Sequence, residues 1–170
     1  MPNLPLTRRT TLASGAALGV AALLVTGCSD TSARKARRQA ATDSRLRTKA
    51  AQEGRALLTR YDATIAAHPA LRERLTPLRV QVARHLAALS TSESSPAAGG
   101  PSPSSGGGRA AAPEVPGEEK AARAALADGE RRTADSRAGA LLEASPTLAR
   151  LLASLAGAGA AHAFLLGEDD

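Results

Sequence analysis

The sequence predicts an all-α fold: a four-helix bundle made of two helical hairpins, joined by a long disordered linker and preceded by an N-terminal segment that is removed. Three observations carry this. Apolar residues recur at intervals of three and four in two stretches, the mark of helices with one buried face. No alternating run of β-branched or aromatic residues occurs anywhere in the 170 residues. Between the two periodic stretches, residues 91–117 read TSESSPAAGGPSPSSGGGRAAAPEVPG, too polar and too rich in Gly and Pro to bury a core. A connection that long is unusual inside a compact domain, but long crossovers are normal in helical bundles.

Residues 1–27 read as a signal peptide and take no part in the mature fold. Arg8 and Arg9 give the start a positive charge, and no acidic residue precedes Asp30. An apolar stretch then runs from Leu12 to Val25. At roughly 15 residues it falls short of the ~20 that a helix needs to span the hydrocarbon core. It closes on Leu24-Val25-Thr26-Gly27-Cys28. These residues resemble a bacterial lipobox, which implies acylation of the Cys28 thiol, cleavage after Gly27 and a lipidated N-terminus at the membrane. Two acyl chains on one residue give stable anchoring where one chain does not. Thr7-Arg8-Arg9-Thr10-Thr11-Leu12 resembles the twin-arginine export motif, with Thr11 standing where that motif has an apolar residue.

About 143 residues follow the cleavage point, enough for one domain. Cys28 is the only cysteine, so its acylation leaves no thiol for a disulfide or a cysteine metal site. Residues 28–45 open a basic juxtamembrane segment. From Arg34 to Arg60 there are nine basic residues against Asp43 and Glu53. Next to a lipid anchor, such a segment is drawn to anionic headgroups by about 1 kcal/mol per charge; the solvated face of a long helix has the same composition. The pI of 10.6 does not signal nucleic acid. Tyr61 and Phe164 are the only aromatic residues, so no rings are interleaved with the basic side chains to stack on bases. The dominance of Ala, Leu and Arg resembles the composition of exported lipoproteins from high-GC Gram-positive bacteria.

The first hairpin is expected over 46–90. Leu46, Ala50, Glu53, Leu57, Tyr61 and Ile65 mark one face of its first helix, which stops at His68-Pro69 because the residue before proline is driven out of the α region. His68, at this turn, is expected to cap a helix end. Leu71, Leu75, Leu78, Val82, His85 and Leu89 mark the return helix; Thr76-Pro77 is its expected N-cap and first position, with 70–75 as a separate turn. The second hairpin is expected over 118–167. Glu118 and Glu119 place negative charge in its first turn. Leu126, Glu130, Ala134, Arg137 or Ala138, and Leu141 follow on one face. Ser145-Pro146 caps the last helix, whose inward line is Leu148, Leu152, Leu155, Gly159, His162 and Leu166. The small-residue run Ala156–Ala161 on this helix suits close packing rather than a membrane span.

Four ionisable residues fall on these inward lines, one per helix: Glu53, His85, Glu130 and His162. At ~1.5 Å rise per residue, each Glu–His pair lies level to within ~3 Å. Glu, His, Glu, His along four helices, with a long link in the middle, resembles the ferritin-like carboxylate bundle. That resemblance implies metal ligands at these four positions. Val82 and Gly159 stand where di-iron members carry the bridging Glu of Glu-x-x-His, so the resemblance is to a degenerate member, with room for a single zinc, iron or manganese ion at most. Glu53 can equally turn outward, since Gly54 serves the stripe almost as well, and the histidines are equally satisfied by nearby carboxylates or water.

The expected function is therefore a non-catalytic, lipid-anchored helical domain on the outer face of the cell membrane, without a cofactor. A metal-binding bundle is the second expectation. An adaptor docking another envelope protein, through an apolar groove near Leu151, Leu155 and Phe164, is the third. No G-x-S-x-G elbow or phosphate-cradling glycine loop is present; Gly106-Gly107-Gly108 lacks a following Lys-Ser/Thr.

Overall fold

The structure is a computed structural model that describes residues 26–91 and 113–167. The export residues Arg8 and Arg9 and residues 92–112 of the linker lie outside the described residues. Four α-helices are described: α1 (Thr26–Ala67), α2 (Arg72–Thr91), α3 (Glu119–Gly139) and α4 (Pro146–Gly167). No strand occurs among the described residues. The chain divides into two units, Met1–Lys35 and Ala36–Asp170. In the first, the described part is the opening of α1; Cys28 is helical there, and residues 30–35 are exposed. The apolar interior and the candidate site both lie in the second unit.

Residues 36–45, the second part of the basic segment, are helical and fixed at one point. Asp43 is buried, and its Oδ1 accepts hydrogen bonds from the Ser145 backbone N–H at 3.0 Å and from Gln39 Nε2 at 3.0 Å. Gln39 Nε2 also donates to the Glu143 carbonyl at 2.9 Å. This stretch of α1 therefore holds the turn between α3 and α4.

Proline ends α1 as expected. His68 leaves the helix at φ −126° and ψ 80°, and Pro69–Leu71 form a short 3-10 turn. The turn runs straight into α2 at Arg72, so Pro77 sits inside the helix instead of at its first position. Pro77 removes one backbone donor from the second turn of α2. One residue earlier, Thr76 Oγ1 donates to the Arg72 carbonyl at 2.7 Å. The expected separate turn over 70–75 is thus only its first two residues. His68 makes no side-chain cap. Its Nε2 donates instead to the Pro116 carbonyl at 2.8 Å, tying down the extended residues that lead into α3.

The second half keeps closely to its sequence signals. Glu118 is the N-cap residue of α3, with Glu119 in the first turn. Ser145 caps α4, accepting the Leu148 N–H at 3.4 Å on Oγ, and Pro146 occupies the first helical position. All six residues of the inward line of α4 are buried. On α3 the inward choice falls on Arg137; Ala138 is exposed.

The apolar interior has two parts, each drawing on several helices. One joins Leu57 and Tyr61 of α1 with Leu75, Leu78 and Val82 of α2, Leu126 and Ala127 of α3, and Leu166 of α4. The other joins Ala50 and Ala51 of α1 with Leu89 of α2 and Leu148, Leu152 and Leu155 of α4. On α1, α2 and α4, polar or glycine positions fall between the two: Glu53-Gly54, His85 and His162. This alternation places the candidate site.

Candidate functional site

Glu130 is the centre of the site, 1% exposed on α3. Burying a carboxylate is costly unless donors surround it. Two donors converge on its Oε1: the Tyr61 hydroxyl from α1 at 2.9 Å and His162 Nδ1 from α4 at 3.0 Å. The far ring nitrogen of His162 meets the Gln81 side-chain oxygen of α2 at 3.3 Å. His85, one turn beyond Gln81, stacks on the His162 ring with centroids 5.9 Å apart and planes 13° from parallel. All four helices thus supply a residue to one polar cluster.

Gly159 of α4 lies directly against Glu130 and Ala134 of α3. A Cβ there would stand 3.4 Å from Glu130 Oε2 and 3.4 Å from the Ala134 Cβ, at the edge of ordinary contact. Of the small-residue run Ala156–Ala161, Gly159 is the one that is buried and packed against α3. By length and composition α4 is apolar enough to cross a membrane, but its inner face belongs to the core.

Arg137, 3% exposed, completes the electrostatics. Its Nη1 donates to the Leu155 carbonyl at 3.3 Å, while its Nε has no hydrogen-bond partner. Burial lowers the pKa of this guanidinium, and the charges of Glu130 and Glu53 oppose that effect. Burial pushes the Tyr61 hydroxyl far above its usual range, reinforced by the charge and hydrogen bond of Glu130. Tyr61 is therefore a fixed donor, not an acid. Burial also lowers the His85 pKa, helped by the charges of His162 and Arg137 and opposed by Glu130.

Three of the four residues singled out as metal ligands thus come together: His85, Glu130 and His162. Glu53 does not join them. Gly54 takes the inward place, close enough that a Cβ on it would lie 3.8 Å from both Arg137 and Leu86. Glu53 is displaced to the flank, where Ser136 Oγ donates to it at 2.8 Å and Lys49 lies 3.8 Å away. Among the described residues, no group of three or more His, Cys, Asp or Glu is arranged to hold a metal ion. In the cluster, Glu130 Oε1 accepts two hydrogen bonds and His162 is engaged at both nitrogens.

Gln81, Ser136 and the partner of Tyr61 carry no direct sign in the sequence. One available signal is that Tyr61 lies between Leu57 and Ile65 on the inward stripe of α1, where a buried hydroxyl needs an acceptor. The expected docking groove also changes. Leu155 is buried and Leu151 half-buried, whereas Phe164 is 63% exposed and Leu165 is exposed beside it. A separate surface groove of about 190 Å³ runs between α1 and α3 over Gly129, flanked by Arg60, Arg132, Thr133 and Glu53.

No family model, curated protein or solved structure matches this chain.

Proposed function

We propose that this chain is an exported bacterial lipoprotein whose four helices form a bundle, held at the outer face of the cell membrane by lipid on Cys28 and acting there without catalysis. The observation that carries the reading is the order of residues before Cys28: two arginines, an apolar stretch too short to span, and Leu24-Val25-Thr26-Gly27-Cys28. Two features of the helices agree with it. Arg37, Arg38, Arg45, Lys49, Arg55 and Arg60 are exposed along α1, where they can meet anionic headgroups. Glu130 and His162 meet each other and partners from α1 and α2 within the cluster, as residues of a structural polar layer do.

Metabolic labelling with a clickable palmitate in a high-GC Gram-positive host tests this. The wild-type chain is expected to take up label and sediment with membranes. Cys28→Ala is expected to lose both properties, and Arg8→Lys/Arg9→Lys to remain in the cytoplasm if export is by the twin-arginine route. Absence of label on the wild-type chain overturns the reading.

A second reading, that the domain docks another envelope protein, is favoured by the exposure of Phe164 and Leu165 near the end of α4. Phe164→Ser/Leu165→Ser would then abolish co-purification of that protein without changing the melting temperature.

A further inference from the structure

Two buried side-chain nitrogens have no hydrogen-bond partner among the described residues, Arg47 Nε and Arg137 Nε. Such atoms are uncommon, because an unmet buried donor is costly. Arg137 lines a hollow of only about 10 Å³, the size of a single water. Arg47 is placed differently. It lines a surface hollow of about 100 Å³ between α1 and α2, together with Thr48, Ala51 and Arg55 of α1 and Leu89 and Ser90 of α2.

Arg47, Ala51 and Arg55 follow one another at intervals of four and share one face of α1. The two arginines stand ~12 Å apart along the helix axis, with the short side chain of Ala51 between them. Leu89, 1% exposed, closes the base. Arg47 is half-buried and Arg55 exposed, and neither guanidinium has an ion pair among the described residues. Thr48 is exposed and adds a hydroxyl. Ser90 Oγ donates to the Leu86 carbonyl at 3.2 Å, a long bond that a charged acceptor can replace. No carboxylate lines the hollow. Asp43, one turn before Arg47, has its Oδ1 held by Ser145 and Gln39. The larger groove over Gly129 lacks this purity of charge, since Arg60 and Arg132 share it with Glu53.

The geometry points to an oxyanion site: the hollow between α1 and α2 binds one phosphate group through the guanidinium groups of Arg47 and Arg55, with the hydroxyls of Thr48 and Ser90 completing the shell. A guanidinium matches the edge of a phosphate with two parallel hydrogen bonds. The volume suits a group of this size and falls well short of the ~300–1,000 Å³ that encloses a drug-sized ligand. The phosphate comes either as the free inorganic ion or as the headgroup of a lipid, and these residues recognise what the two share. The site needs no lipid on Cys28, so its test is separate from that of the anchor.

Isothermal titration calorimetry of the full-length chain in a non-ionic detergent, at neutral pH and fixed ionic strength, tests the site. One arm uses inorganic phosphate, and the other glycerophosphoglycerol, the soluble headgroup of an anionic phospholipid. The wild-type chain is expected to bind one equivalent of at least one of them. Arg47→Gln and Arg55→Gln are each expected to weaken binding roughly tenfold or more, the loss of a hydrogen bond to a charged group. Arg38→Gln removes the same charge from an exposed position of α1 outside the hollow, and it is expected to change affinity by less than about twofold because salt screens it. Tighter binding of inorganic phosphate supports the site with a free anion as its occupant; tighter binding of glycerophosphoglycerol supports it with a lipid headgroup there. No saturable binding in either arm, or equal weakening by Arg38→Gln, overturns the proposal. Where Arg47→Gln does not fold, the exposed Arg55 decides through Arg55→Gln.

Discussion

His162 and Glu130 meet at 3.0 Å across the seam between α3 and α4, both almost wholly removed from water. A buried pair of this kind stabilises little by its attraction alone, because both groups give up hydration. Removing one partner is far more costly, since the other stays buried without compensation. Glu130 Oε1 serves two donors at once, and its charge also faces Arg137. Glu130→Ala is expected to cost about 3–5 kcal/mol, the penalty for a buried charge left without its partner. Tyr61→Phe removes only one hydrogen bond to a charged group, and a loss of about 1.5–3 kcal/mol is expected. Urea denaturation of both variants checks the order. Equal costs would mean that the carboxylate matters only as the acceptor for Tyr61.

A second expectation concerns acid and the hold of α1 on the turn before α4. Burial alone would raise the pKa of Asp43. Hydrogen bonds from Ser145 and Gln39, together with the charge of Arg47, outweigh burial and leave it below its ordinary value of 3.8. A carboxyl with a lowered folded value contributes stability that is fully present above the unfolded value. That contribution is lost as pH falls through the folded one. Asp43 should therefore add a loss of stability below pH 3.8, separate from the one that sets in below 6.5, where the unfolded chain takes up a proton at His85 more readily than the folded one. Asp43→Asn is expected to flatten the lower step and leave the upper one intact, read by circular dichroism against pH. Loss of the upper step in that variant would mean that the two regions do not titrate independently.

How much of this was legible in the sequence depends on whether a feature is local. The line of six on α4 repeats at intervals of four and three, and all six residues are buried. The Ser145-Pro146 cap is also local, and its hydrogen bond to Leu148 is made as expected. Adjacent positions on one helix were harder to separate. Glu53 and Gly54 both lie near the inward direction of α1, about 100° apart around the axis. The choice of Gly54 reflects the closeness of Arg137 and Leu86, which no periodicity within α1 encodes. The same holds for Arg137 against Ala138. Beyond the meeting of His85, Glu130 and His162, contacts between the helices and distant turns left no sign in the sequence. His68 to Pro116 spans 48 positions and Asp43 to Ser145 spans 102, so each depends on how separate elements meet. Pro77 lies inside α2 and not at its first position, a difference the sequence does not encode because a proline near a helix start reads the same in the first turn and the second.

The glycines of α3 and α4 give a last expectation. Glycine in a helix interior costs about 0.5–1 kcal/mol relative to alanine, because its backbone loses more freedom on folding. Whether alanine recovers that amount depends on the space available to its Cβ. Above Gly157 nothing lies within 4 Å, so Gly157→Ala is expected to stabilise the fold by about 0.5–1 kcal/mol. At Gly129 a Cβ would stand 3.3 Å from Leu57 Cδ1 and 3.5 Å from Arg60 Nη1, inside the seam between α1 and α3. Leu57 is buried among core side chains and has little room to give way. Gly129→Ala is therefore expected to gain less than Gly157→Ala, or to destabilise. Thermal melts of the two variants side by side check this. A larger gain at Gly129 would show that α1 can draw back from α3 without loss, and that Gly129 is not what sets their separation.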